Sequence, residues 1–517
     1  MLLPVLSPEQ STEWDRRAEQ AGIALATLMD AAGRAAAHVT ATRFPERMRT
    51  GVLVAAGPGN NGGDGWVLAR ALHRLDIPVF VAPVAGDPSP LNRLVSGLAR
   101  GEGVRVVEPE GPWPTVGLVI DALLGTGARG ALRPPIATLV DRLADLAVPV
   151  VSIDGPTGVD LGTGVTHRPA LTAQLSITFG GLRRGHLLAR EECGDLVVVD
   201  IGHSPADAAW PRLVTDLDAA SWLRPLAPRD HKGSRGRVVV VGGDAGMSGA
   251  LRLAARASFA AGAGLVHAAA PESALAALTA AEPDLQTAML AFDRPPATAV
   301  LELIGRADAL VIGPGLGRAT DRRAFIAALA EPARRLVLDA DGLNAYQGAP
   351  DALAALGRGR ALVLTPHPAE FRRLFPREAD GLELDPWGAA AKAAADSGAT
   401  VLLKGVPSVI CEPAGTPLTV AAGNPGLATG GSGDILSGIL GTMLAQGLEP
   451  GIAAGTAAQI LGRAADLAAR RVTARGMRPM DVIAAFPDLW RAWSGLLAVG
   501  SERRPPILLE LDRPQTT

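Results

Sequence analysis

At 517 residues the chain is too long for one domain, since domains run to about 100–200 residues, and it has ample material for two cores. A formal net charge of −3 with no basic block argues against nucleic acid or an anionic membrane as partner and leaves small molecules. Cys193 and Cys411 stand far apart, so no disulfide framework is expected and a reducing cytoplasm fits.

The N-terminal stretch has no basic region followed by a long apolar run. Later apolar stretches are broken by Arg, Asp or Gly before about 18 residues, so neither a signal peptide nor a membrane span is expected. The segment LSPEQSTEWDRRAEQAGIALATLMDAAGRAAAHV carries apolar residues at helical spacing and predicts helices ahead of the first strand. The runs GVLVAAG, IPVFVAPV, VGLVIDA and VPVVSIDG are short, apolar and β-branched, which predicts a parallel sheet with helices on both faces. The alternation weakens over residues 208–236, where Pro, Trp and charged residues cluster. The expected boundaries are a first domain over 1–215, a linker over 216–228 and a second, larger α/β domain over 229–495. Residues 496–517 read as a frayed tail.

In the first half, GPGNNGGDG places Gly57, Gly59 and Gly62 in a G-x-G-x-x-G pattern before a helix. A dinucleotide site of the usual kind needs an acid closing the second strand, and IPVFVAPVAG has none. The loop instead offers amide N–H groups to an anionic group at a helix N-terminus. Asp64 lies in this loop, Asp121 closes VGLVI and Asp154 closes VPVVSI, so three acids can converge at the carboxyl ends of neighbouring strands. Helix N-capping is the competing role for each.

The segments GPGNNGGDG, DALLGTGARG and SIDGPTGVD, in this order, resemble the NAD(P)H-hydrate epimerase family across the whole first domain. The resemblance implies a Rossmann-like α/β/α fold. It implies substrate contacts at Asn60, Asn61, Gly62, Gly63 and Asp64, in the loop Gly125, Thr126, Gly127, Ala128, Arg129, Gly130 and Ala131, and at Asp154, with Asp154 the acid/base group. Asn61, Asp121 and Thr157 are implied as potassium ligands, a set of oxygens suited to a hard cation. Arg183 and Arg184 in TFGGLRRGHL are a departure, since relatives often carry a lysine there.

In the second half, ATGGSGDILSG joins a glycine-rich turn to a helix start. Amides of Gly431, Ser432 and Gly433 can hold phosphoryl oxygens there, while Asp434 takes the proton of an attacking hydroxyl. This element resembles the anion hole of the ribokinase-like superfamily. HKGSRGRVVVVGGDAGMSGALRLAARASFAAGAGLV, VIGPGLG, VLDADGLN, LTPHPAE, LLKGVPSVI and GNPGLATGGSGD follow the order of the NAD(P)H-hydrate dehydratase family from about residue 225 to 490. That resemblance implies substrate contacts at Ala250, Gly315, His367 and Asp434, with Asp434 catalytic. It places Lys404, Gly405, Val406, Pro407, Ser408 and Gly433 against the adenine nucleotide. Asp339 and Asp341 are left open between water-mediated Mg²⁺ binding and capping. Met247 stands where relatives commonly have Tyr.

Together the resemblances imply one repair sequence: epimerisation of R- and S-NADHX or NADPHX, then phosphorylation of the S-epimer hydroxyl and loss of phosphate to restore NAD(P)H. A cytosolic chain with 46 Arg against 3 Lys looks bacterial, and the fused bacterial forms typically use ADP, giving AMP and phosphate. The implied cofactors are K⁺ for the first domain and Mg²⁺ with ADP for the second. A cytoplasmic homo-oligomer, with no nucleic acid or membrane partner, is expected. A small-molecule kinase with a regulatory first domain is the competing reading.

Overall fold

The β-branched runs form the centres of two sheets in the computed structural model, which describes residues 3–317, 322–499 and 507–516. The chain divides into two units. One holds Leu3–Trp210 and takes in the strand Ile507–Leu511; the other begins at Pro211.

In the first unit the strands lie side by side as Ile507–Leu511, Asp195–Val199, Leu175–Phe179, Val150–Ile153, Leu118–Ala122, Val52–Ala56, Val79–Pro83 and Arg105–Val106. All neighbours are parallel except the first pair. The chain order thus reverses between Val52–Ala56 and Leu118–Ala122, and the carboxyl ends of those two strands open a crevice, the usual ligand position of a doubly wound sheet.

Alternate residues of the central strand serve two cores. Val52 and Val54 pack with Ala36, Leu68 and Leu72 on one face, while Leu53 and Ala55 pack with Leu139 and Leu143 on the other. Each such buried Val or Leu contributes about 1.5–3 kcal/mol, which makes a three-layer sandwich the stable solution.

The second unit repeats the plan. Its strands run Gln286–Met289, Leu265–Ala270, Arg237–Val241, Ala309–Ile312, Arg335–Leu338, Ala361–Leu364 and Thr400–Leu403 in parallel, then turn antiparallel through Ser408–Cys411 and Leu418–Val420. The chain order reverses between Arg237–Val241 and Ala309–Ile312. The helix Ser432–Ala445 is apolar on nearly every side and lies against the helix Ser248–Ala260. Gly438 permits this approach, because a Cβ there would stand 2.1 Å from the Ala254 carbonyl oxygen.

Two expectations are corrected. Within residues 216–228, read as linker, Asp216–Trp222 is a helix capped reciprocally by Thr215 and Asp218, and Gln459 and Arg463 donate to Asp216 at 2.7 and 2.9 Å. The frayed tail contains the strand Ile507–Leu511, paired antiparallel with Asp195–Val199. Its alternation of apolar and charged residues was masked by the Pro and Arg residues on either side. Among the described residues no helix is long and apolar enough to cross a membrane.

Candidate functional site

In the first unit the residue after the strand Val150–Ile153 is Asp154, held at φ 66°. That left-handed conformation is uncommon for a side chain other than Gly, and it persists only where the surroundings over-determine it. The Asp154 N–H donates to Ile177 O at 2.8 Å. Its Oδ2 accepts from the Thr126 N–H at 2.8 Å and from the Thr126 hydroxyl, and its Oδ1 accepts from Thr178 Oγ1 at 3.2 Å. Arg183 Nη2 lies 3.5 Å from Oδ1. Burial by itself pushes the carboxyl up, but Arg183 and then the Thr126 donors oppose it, and Asp154 is held below the usual carboxylate range.

Asp64 sits half-buried near the start of the helix Asn60–His73. Burial, and then the negative charge of Asp154, push its carboxyl well above the usual range. Two acids whose environments drive their proton affinities apart are a suitable pair for moving a proton at neutral pH.

Asp121 is fully buried and accepts from the Thr157 N–H at 2.7 Å, Thr157 Oγ1 at 2.8 Å and the Leu123 N–H at 3.2 Å. Asn61 Nδ2 donates to Leu124 O at 3.0 Å, and Thr157 Oγ1 accepts from the Leu124 N–H at 3.3 Å. The three expected potassium ligands therefore converge around Leu124. Burial pushes Asp121 up to about 6, against the hydrogen bonds, and no cationic side chain offsets it. A monovalent cation suits that set of oxygens.

The remaining expected residues divide. Asn60 Oδ1 accepts from Ser89 Oγ at 2.7 Å. Gly62 and Gly63 have packing reasons to lack a side chain: a Cβ would lie 1.8 Å from Gly57 O in one case and 2.7 Å from the Met29 methyl in the other. Gly125 lies beside Asn61 and Asp154, whereas Gly127 is exposed. Ala128, Arg129, Gly130 and Ala131 line a cavity of about 240 Å³ whose walls include neither Asp64 nor Asp154. Arg129 is ion-paired with Glu9.

In the second unit Gly431 adopts φ 102°, and the helix Ser432–Ala445 begins without a side-chain cap. Residues 428–430 are exposed, and Ser432 Oγ is buried with no hydrogen-bond partner. Unpaired donors and a favourable dipole thus meet at one point. Asp434 stands in the first turn. Burial raises it to about 7, with Asp339 raising it further and Lys404 opposing.

Lys404 Nζ pairs with Asp339 Oδ1 at 3.0 Å and lies 3.6 Å from Glu370 Oε2. Burial weakens the Lys404 ammonium, but Asp339 and Glu370 overcome this and raise it. Ser437 Oγ donates to Asp339 Oδ2 at 2.5 Å. A Cβ on Gly433 would stand 3.5 Å from Lys404 Nζ, so the lysine belongs with Gly433 and Asp434. Gly405, Val406, Pro407 and Ser408 form the turn into the next strand, closed by Ser408 Oγ donating to Gly405 O at 3.2 Å.

His367 is the N-cap of the helix Pro368–Leu374. Its Nδ1 accepts from the Ala369 and Glu370 N–H groups, and Glu370 Oε2 accepts from the His367 N–H at 2.9 Å. Gly315, at φ 63°, lies against Met247 and Ala250: its Cβ would meet Met247 O at 2.6 Å and Ala250 Cβ at 3.4 Å. Ala250 and Gly315 thus meet where the strand order reverses. Asp341 Oδ2 accepts from the Gly317 N–H at 3.0 Å.

Sequence reasoning missed Thr178, His186, Glu370 and Ser437. Glu370 alone had a local signal, an acid three residues after a capping residue.

Residues 238–488 match the family described as NAD(P)H-hydrate dehydratase, and residues 25–185 match that described as YjeF-related protein N-terminus. The bifunctional NAD(P)H-hydrate repair enzyme Nnr of Escherichia coli (strain K12) is 35% identical over 480 residues, covering 91% of this chain and 90% of its own. The chain belongs to the bifunctional NAD(P)H-hydrate repair enzyme family. The Salinibacter ruber relative of the same name is 36% identical over 522 residues, covering 94% of this chain and 95% of its own.

Solved structures similar to part of the chain include the ADP/ATP-dependent NAD(P)H-hydrate dehydratase of Bacillus subtilis co-crystallised with ATP/Mg²⁺. It has a TM-score of 0.47 and 24% identity, covering 54% of this chain and 97% of that one. A ribokinase-like superfamily protein of Enterococcus faecalis gives 0.48 and 24%, covering 55% and 96%. The two family matches and the Escherichia coli relative bear out the resemblance read in both halves, and the two α/β units of the structure bear out the fold class.

Proposed function

We propose that this NAD(P)H-hydrate repair enzyme acts in two steps: the first unit interconverts R- and S-NAD(P)HX, and the second converts S-NAD(P)HX to NAD(P)H, with ADP giving AMP and phosphate. The observation that carries the reading is Asp434, a carboxylate raised to about 7 in the first turn of a helix that begins at the left-handed Gly431 without a side-chain cap. A carboxylate so placed can take the proton of the substrate hydroxyl while the amides of Gly431, Ser432 and Gly433 receive the phosphoryl oxygens. Water is a poor leaving group and phosphate a good one, so transfer to the hydroxyl makes the elimination feasible.

Ala250, Gly315 and His367 are assigned to the hydrated substrate, and Lys404 to Ser408 with Gly433 to the nucleotide. Asp339 is engaged by Lys404 and Ser437, and Asp341 by Gly317. No cluster of three acidic, His or Cys side chains stands ready for a metal among the described residues. Mg²⁺ would therefore arrive on the nucleotide phosphates, its usual mode of binding.

In the first unit Asp154 is assigned as the acid/base group, and Asn60 to Asp64 and Gly125 to Ala131 as the substrate shell. A potassium ion at Asn61, Asp121 and Thr157 would supply positive charge beside it. We place the enzyme in the cytoplasm as a homo-oligomer.

Absorbance at 340 nm tests the reading, with a mixture of R- and S-NADHX, Mg²⁺, K⁺ and ADP, ATP or no nucleotide. Full recovery of NADH with ADP supports both steps, whereas recovery halting at the S fraction removes the epimerase. A phosphorylated product that never yields NADH returns the kinase reading.

A further inference from the structure

His186 is fully buried directly behind Asp154, and nothing in the chemistry above uses it. Its Nδ1 accepts the Arg183 N–H at 2.9 Å. A ring nitrogen that accepts carries no proton, so Nε2 bears the hydrogen and donates to Asp154 O. Burial drives the ring down to about 4, with Asp154 opposing and Arg183 adding, so it stays neutral through physiological pH. The groups facing it are Asp154, Arg183 and Arg190, and none takes its Nε2 proton.

One imidazole thereby ties together both partners of the buried ion pair: the carbonyl of the carboxylate residue and the amide of the arginine residue. The tie has mechanical work to do, since Asp154 is a left-handed non-glycine residue directly after a strand. Its N–H is held by Ile177 O and its carboxylate by Thr126, Thr178 and Arg183, so the carbonyl is the remaining group through which the turn could relax. Arg183 is fixed in the same way, donating to Gly181 O at 2.8 Å and to Thr126 Oγ1 at 3.1 Å.

We propose that His186, as a neutral Nε2–H imidazole, is a positioning residue of the epimerase site that holds Asp154 and Arg183 in register. The inference rests on the epimerase reading of the first unit. Displacing a reacting group by about 1 Å can cost about a hundredfold in rate, so loss of the tie should fall on kcat rather than KM.

The test uses full-length His186→Leu, His186→Asn and His186→Gln. Leu fills the space without hydrogen bonds, Asn can replace only Nδ1, and Gln can reach the Asp154 carbonyl. Epimerisation of R-NADHX should fall at least about tenfold in kcat for Leu and Asn with KM within about twofold, and Gln should recover to within about threefold of the parent. Dehydration of S-NADHX by the same preparations should be unchanged. Parent-level kcat in His186→Leu, or a Gln variant as slow as Leu, overturns the proposal. A parent enzyme that dehydrates the S epimer but does not epimerise the R form removes the functional reading instead. The positional claim is then read by long-range ¹H–¹⁵N spectra, where an Nδ1–H tautomer or a ring titrating between pH 5 and about 8 overturns it.

Discussion

Lys404 Nζ lies 3.0 Å from Asp339 Oδ1, and the opposed charges of this pair act on Asp434 together. Burial is the main reason Asp434 is raised from 3.8 to about 7; Asp339 adds to the rise and Lys404 limits it. Between those two values the folded protein keeps a proton that the unfolded chain has lost, so this group lowers stability as pH rises through the window. Asp434→Asn should therefore melt higher than the parent at pH 8 and level with it at pH 4. The parent's dehydration rate should climb through pH 7 to a plateau. The Asn variant should lose at least about a hundredfold in dehydration, the scale of a lost general base, and keep epimerisation. A flat rate profile from pH 6 to about 8.5 would remove Asp434 from the base role.

Arg183 opposes the burial of Asp154 and donates to a carbonyl and a hydroxyl besides. Arg183→Met removes the cation and leaves the burial, so the Asp154 carboxyl rises and the acidic limb of the epimerisation profile moves to higher pH. Arg183→Lys keeps the charge but not the planar fork, and should retain activity to within about tenfold. Stability follows the same sign. A depressed carboxylate stabilises the fold above its ordinary pKa, and that contribution disappears as pH falls through the folded value. An Arg183→Met profile superimposable on the parent's contradicts the coupling.

The Asp121 carboxylate is buried among neutral donors. If potassium sits with it, replacing choline chloride by KCl should raise the melting temperature of the first unit. Saturation at about 100 Kd corresponds to about 2.7 kcal/mol. Asp121→Asn should abolish the increment and the potassium dependence of epimerisation. Equal melting in both salts leaves Asp121, Asn61 and Thr157 as a hydrogen-bonded turn and nothing more.

Two glycines should separate packing from chemistry. A Cβ on Gly62 would lie 1.8 Å from the Gly57 carbonyl, so Gly62→Ala should fail to fold its unit or melt far below the parent. On Gly433 the nearest atoms are at ordinary contact distances, 3.5 Å from Lys404 Nζ and 3.6 Å from Asp339 Oδ2. Gly433→Ala should therefore fold normally and still slow dehydration, because the added methyl enters the space assigned to the phosphoryl group. Dehydration at the parent rate in folded Gly433→Ala is the result that moves the anion hole elsewhere.

What the sequence could not convey follows from these contacts. The strands were legible because fully buried β-branched runs admit few other readings. The acids closing them were legible because a parallel sheet gathers its carboxyl ends on one edge. Thr178 and His186 were not, since each looks like an ordinary polar residue until the turn at Asp154 brings it within hydrogen-bond reach. Lys404 illustrates a subtler gap. The family resemblance set it against the adenine nucleotide, and the structure gives it Asp339, 65 residues away, as its first partner. The helix Asp216–Trp222 was hidden because its partners, Gln459 and Arg463, come from far along the chain.

The strand Ile507–Leu511 covers the edge of the first sheet at Asp195–Val199. It pairs along Leu196–Val199, Arg43 ion-pairs with its Glu510 at 2.6 Å, and Arg190 donates to Asp512 O at 2.7 Å. Removing residues 502–517 would expose the backbone of Asp195–Val199, whose Leu196, Val197, Val198 and Val199 are fully buried in the parent. An uncovered apolar edge loses its hydrogen bonds and becomes a template for pairing with another chain. The truncated protein should therefore show a lower first melting transition, faster aggregation on warming and reduced epimerisation, while S-NADHX dehydration and the second transition hold. Equal melting of both forms would mean that the strand adds no stability to the sheet it joins.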